Sequence, residues 1–181
     1  MSPWTCLPGM GLEGVCLDDL SATIGRVQLK KLPRVIAARR KSAMALAAGC
    51  AKLKTVRLHT GLPHTQGVYW FLLLRLALDK LAVDKVTFVK ALNQEGIPAV
   101  SDYWHSPTQH LWCQQRKVFG SSGYPWKSPR YKGDPHREYP LPNARATDAT
   151  HILLPWHERC TAREVRDTLA ALARLEQAYL K

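Results

Sequence analysis

The residues with the most chemical potential sit close together. In the stretch YWHSPTQH, residues 103–110, Tyr103 and Trp104 bring aromatic faces beside the imidazoles of His105 and His110. Such a group can hold an organic molecule by stacking and exchange protons with it near neutral pH. We expect these four residues to line a substrate pocket. Metal binding is not expected. His105 and His110, or His151 and His157 around ILLPW, come with neither paired cysteines nor an HExxH pattern to fix a tetrahedral zinc. The segment GSSGYPWKS, residues 120–128, ends in Lys and Ser like a phosphate-binding loop. Trp126 stands where a glycine would let the backbone curl, and Pro125 removes an N–H donor, so no triphosphate site follows. There is no GxSxG elbow, no cysteine-protease signature and no dinucleotide fingerprint. The 14 Asp and Glu residues give no pair at a catalytic spacing, so no catalytic residue is assigned.

The net charge of +12 raises the question of an anionic partner. Its cations fall in two groups. Lys30, Lys31, Arg34, Arg39, Arg40 and Lys41 lie on helical sequence, where a solvated face is the simpler reading. Arg116, Lys117, Lys127, Arg130, Lys132 and Arg137 interleave with Tyr124, Trp126 and Tyr131, a mixture that suits an anionic small molecule, a nucleic-acid strand held by stacking and charge, or no ligand at all. Nucleic acid is not the expected partner, and weak polyanion binding is the generic alternative. Five scattered cysteines, an odd number, suggest free thiols. With 46% hydrophobic residues the 181-residue chain can bury a core. VYWFLLLRLAL is too short for a membrane span and is interrupted by Arg75, and the N-terminus lacks a secretory signal, so a cytoplasmic protein is expected.

The elements that must position these residues follow from periodicity. Residues 1–16, rich in Pro and Gly, read as an irregular lead-in. From Asp18 or Asp19 a helix begins with apolar residues on two sides: Leu17, Leu20, Ile24 and Val27 on one, Ala22, Gly25, Leu29 and Leu32 on another. Pro33 predicts two consecutive helices or one kinked helix through residue 54. TVRLH and GVYWFLLLRL read as strands, DKVTFVKALNQEGI as a helix capped by Asp84 and stopped at Gly96, and IPAVS as a third strand. Patterning fades from 102 to 150, a long loop. HILLP is a further strand, and a capping box of Thr161 and Glu164 opens a last helix with Val165, Leu169, Leu172, Leu175 and Tyr179 on one face. The fold class is α+β: helices 17–54, then a small domain, 55–181, with an antiparallel sheet of three to four strands covered by helices.

The stretch LSATIGRVQLKKLPRVIAARRKSAMALAAG resembles the long-helix region of the DegT/DnrJ/StrS sugar aminotransferases, pyridoxal-phosphate (PLP) enzymes of fold type I. YWFLLLRL, FVKALNQEGIPA, YPLPNA and LLPWHERCTAREVRDTLAALARL agree in the same order, so the resemblance spans about residues 17–181. It implies the small C-terminal domain of such an enzyme, preceded by a long helix near the subunit interface. Residues 17–32 would then meet a second copy or a complementary N-terminal aminotransferase chain, with Ala22 and Gly25 allowing close approach.

The departures from that family bear on activity. Its large domain supplies the Schiff-base lysine and the aspartate on the pyridine nitrogen, and neither motif occurs here. Where the family enters its helix through Asn-x-Arg-Met, this sequence has Gly14, Val15, Cys16 and Leu17, which cannot reproduce those polar contacts. The resemblance therefore implies a truncated or split homologue of enzymes that aminate keto sugars or keto cyclitols, with PLP the family's cofactor. This chain alone is expected to bind no PLP and to be inactive. A non-catalytic assembly module is the alternative.

Overall fold

The computed structural model describes residues 18–102, 108, 110–117 and 121–181. The expected lead-in, residues 1–16, lies outside them. Two compact units appear. The described residues 24–102 and 142–181 form one, and 18–23 with 108–141 form the other.

The first of these units is built on three antiparallel strands in the order β1 (Val56–Leu58), β2 (Phe71–Leu76) and β3 (His151–Pro155). Alternation in β2 decides which way the sheet faces. Leu72, Leu74 and Leu76 are buried, as are Val56 from β1 and Ile152 and Leu154 from β3. The second half of α1 (Asp19–Cys50), α2 (Lys85–Gln94) and α5 (Ala162–Tyr179) add Ala43, Leu46, Cys50, Phe88, Leu92, Val165, Leu172 and Leu175 to the same core. Each leucine-sized side chain buried this way contributes about 1.5–3 kcal/mol before entropy is counted. Gly49 lets α1 and α5 approach, since a Cβ there would run into the Leu169 side chain. Burial also raises the Cys50 thiol to about 11, so it is an unreactive core residue.

The α+β class and the antiparallel sheet are as the pattern predicts, and three expectations, at IPAVS, within 102–150 and at the start of GVYWFLLLRL, are corrected. At Pro33, of the two arrangements expected there, a single helix forms: α1 runs through the proline for 32 residues. Leu29, whose carbonyl loses its helical donor, is 66% exposed, so that carbonyl need not be satisfied inside a core. The strand expected at IPAVS reduces to one bridge, Val100 with Leu153. Pro98 has no N–H, and the Asn93 amide takes both the N–H and the carbonyl of Ala99, at 2.8 and 3.1 Å. Within the expected loop 102–150, residues 111–114 form a short helix, α3 (Leu111–Gln114), and residues 142–150 form α4 (Pro142–Thr150). No residue of α4 is buried, so no apolar period betrays it. The strand at GVYWFLLLRL begins only at Phe71, because Tyr69 adopts a φ of 48°.

Caps behave as expected. The Asp84 carboxylate accepts from the Thr87 N–H at 2.7 Å, and Gly96, at φ 81°, ends α2. Thr161 and Glu164 make the capping box, and the bond from the Thr161 hydroxyl, with the backbone N–H groups, draws the Glu164 pKa down to about 2.

Two polar contacts tie distant elements to this core. Trp156 Nε1 donates to Ser42 Oγ at 2.9 Å, joining the end of β3 to α1 inside the protein. Glu176 Oε2, from α5, accepts from Lys54 N at 2.7 Å and from Thr55 N and Oγ1, both at 2.6 Å, fixing the turn between α1 and β1. Burial by itself would raise the Glu176 pKa, but the bonds from Thr55 and Lys54 outweigh it and hold the carboxyl below its ordinary 4.5. Because the folded value is the lower one, this stabilisation is complete above pH 4.5 and fades as pH falls through the folded value. Glu176→Ala should lower unfolding free energy by about 2 kcal/mol at pH 7 in urea melts. The gap between variant and wild type should shrink below pH 4.5.

Candidate functional site

The aromatic, basic segment expected to face substrate belongs largely to the second unit. Tyr103, Trp104 and His105 lie outside the described residues. His110 is described: it is half-buried and immediately precedes α3, where its carbonyl accepts from Cys113 N and Gln114 N, both at 3.0 Å. Its ring makes no capping bond. Further along, Arg116 Nη2 donates to the Arg137 carbonyl at 2.9 Å, and the Arg137 guanidinium lies 5.4 Å from the centre of the Tyr139 ring. Over residues 110–141 six Arg and Lys residues face only Asp134 and Glu138, and no ion pair joins the described residues of this unit. The surplus positive charge is therefore uncompensated by the segment's own residues, which suits an anionic ligand.

Both stems of this segment are anchored in the first unit by a residue that carries no motif. Lys85, the first residue of α2, reaches Asp102 Oδ1 at 3.3 Å and donates to the Asp148 carbonyl at 2.5 Å. Residues 102 and 148 bracket the whole segment, so one ammonium ties the chain where it leaves the sheet to the chain where it returns. The Lys85 side chain is 12% exposed, and the Ser101 hydroxyl donates to the other Asp102 oxygen at 2.8 Å. That bond first, against some burial, and then Lys85 keep the Asp102 carboxyl below its ordinary pKa. Nothing in sequence spacing signals Lys85, because its partners are 17 and 63 positions away.

A Schiff-base lysine must be shielded from water and free to react. Among the described lysines Lys85 alone is not exposed, and it is engaged by Asp102 and Asp148. An open depression of about 500 Å³ runs along α1, lined by Leu29, Leu32, Pro33, Ile36, Ala37 and Arg40. It offers no carboxylate for a pyridine nitrogen and no lysine. The described residues thus do not fit a covalently held PLP. They also contain no group of three or more potential metal ligands, and no helix long and apolar enough to cross a membrane.

Residues 10–173 match the model of the DegT/DnrJ/EryC1/StrS aminotransferase family. The chain belongs to this family. No curated protein matches it by sequence search. Aminotransferase TlmJ from Streptoalloteichus hindustanus superposes on 88% of the chain with a TM-score of 0.63 at 21% identity. PseC from Helicobacter pylori, an aminotransferase involved in the biosynthesis of pseudoaminic acid, gives a TM-score of 0.65 over 88% at 16% identity. A GDP-4-keto-6-deoxymannose-3-dehydratase with a trapped PLP–glutamate geminal diamine gives 0.56 over 84% at 20% identity. At these identities the likeness is one of fold. The chain spans only 37% of the length of TlmJ and PseC and 35% of the dehydratase.

In this member of the DegT/DnrJ/EryC1/StrS family the first half of α1 is bare. Leu20 is 72% exposed, Ile24 52%, Val27 50% and Leu29 66%, and Gly25 has open space around it. The anchoring of the segment stems is open to a direct test. Lys85→Met should speed limited proteolysis within residues 103–141 roughly tenfold, by removing a part-buried ion pair and a backbone hydrogen bond together. Lys90→Met, at an exposed site on the same helix, should leave it unchanged.

Proposed function

We propose that these 181 residues are the small-domain portion of a PLP-dependent aminotransferase acting on keto sugars or keto cyclitols, and that by themselves they do not transfer amino groups. The observation that carries this reading is the family match over residues 10–173 in a chain about one-third the length of its structural neighbours. It is supported by chemistry. Amino transfer needs a cofactor held covalently by lysine, and no described lysine is both shielded and free. In this reading the segment from Tyr103 to Tyr139 faces the substrate, with Tyr103, Trp104, His105 and His110 in the pocket and the excess cations drawing in its anionic part.

The exposed stripe of α1 supports the companion proposal that residues 17–32 are an assembly surface. Its occupant is a second copy of the chain or the lysine-bearing part of an aminotransferase. Leu20, Ile24 and Val27 lie bare on one side of the helix within about two turns, and soluble proteins seldom leave such a group uncovered.

Two measurements test these statements. Purified chain mixed with PLP and glutamate should show no protein-bound visible absorbance and release no 2-oxoglutarate. A cofactor band that survives gel filtration, with turnover, would overturn the reading. Sedimentation should show concentration-dependent association that Ile24→Glu with Val27→Glu abolishes while circular dichroism is unchanged. A wild-type monomer at every concentration would remove the second copy as an occupant.

A further inference from the structure

The sheet buries one face, and the other carries a row of cations. Antiparallel register places Arg57, Arg75 and His151 directly opposite one another across β1, β2 and β3. His59 lies in the next row on the same face, its N–H bonded to the Leu73 carbonyl at 3.0 Å. Side chains opposite one another on a sheet stand about 5 Å apart, and like charges so placed repel. Arg57 is relieved by backbone dipoles, donating to the carbonyls of Cys50 at 3.0 Å, Val56 at 2.7 Å and Leu53. Arg75 is not. The residue is exposed, and its guanidinium has neither a hydrogen bond nor an ion pair to any described residue.

His151 beside it is held in one orientation. Its Nδ1 lies 2.9 Å from the Thr147 carbonyl and 3.0 Å from Thr150 Oγ1. A carbonyl only accepts, so Nδ1 bears the proton and Nε2 is left, with no described partner, as the atom that gains a proton when the ring becomes cationic. The nearby carboxylate of Asp102 is occupied by Lys85 and Ser101, and Asp148 offers its carbonyl to Lys85. No Asp or Glu occurs in β1, β2 or β3.

We propose that Arg75, with His151 and His59, forms a binding site for a phosphate-type oxyanion on the open face of the sheet. A dianion relieves the repulsion along the row, accepts the two parallel N–H bonds of the guanidinium and stabilises a proton on Nε2 of His151. A singly charged carboxylate offers half the charge. The inference stands independently of the aminotransferase reading. Burial first, and then the charges of Arg75, His59 and Lys85, lower the His151 pKa against the opposing bond to Thr147. Protonation of His151 and anion binding are therefore linked, each favouring the other by the same factor.

The experiment follows the histidine ring signals of the 181-residue chain by NMR, titrating inorganic phosphate against chloride and acetate at equal ionic strength. Phosphate should shift His151 and His59 saturably and raise the His151 midpoint by about one unit, equivalent to tenfold tighter binding to the protonated ring. His136 and His157 should be unmoved. Arg75→Gln should abolish the saturable response, and Arg75→Lys should weaken it, both with wild-type thermal midpoints. An equal response to acetate, an equal response of all the histidines, or wild-type behaviour in Arg75→Gln would overturn the proposal.

Discussion

Alternation along β2 is the constraint on which the first unit depends. Because this strand is paired on both sides, Leu72, Leu74 and Leu76 all point the same way, and the side they choose must be roofed by helices. The second half of α1, α2 and α5 supply that roof, and each does so with the residues its own helical period aligns. A one-residue slip of β2 would bury Arg75 and expose the leucines, so register and core are one decision.

Apolar burial sets the layers, and a few polar contacts set their exact relation. Glu176, Trp156 and Lys85 each join positions at least 63 residues apart or bridge elements from opposite ends of the chain. No described buried side-chain nitrogen or oxygen is left without a partner. That economy makes the open face of the sheet conspicuous, because Arg75 there has no such match among the described residues.

The same contrast runs along α1. Its second half is core, with Ser42, Ala43, Leu46 and Cys50 buried, while its first half carries equally apolar residues in the open. The helix thus changes from covered to bare along its length, in a chain about a third the length of its structural neighbours. Among the described residues the one lysine that is not exposed, Lys85, is engaged by Asp102 and Asp148.

Sequence alone determined the features that depend on neighbours in the chain. The strand within GVYWFLLLRL, the Asp84 cap, the Gly96 stop, the capping box at Thr161 and the apolar face of α5 are all local, since a helix or strand repeats its environment every few residues. The family could be read too, because its colinear segments are themselves such elements. What only the tertiary structure decided were events between residues far apart or without a period. Asn93 captured the backbone of Ala99 and reduced a strand to a bridge, and α4 formed with no buried face to announce it. Lys85 found Asp102 and Asp148, and Arg75 met His151, through strand and helix packing that no spacing encodes. Of the four residues assigned to a pocket from sequence, only His110 is described. A pocket is a meeting of side chains in space, which requires that the elements carrying them first be brought together.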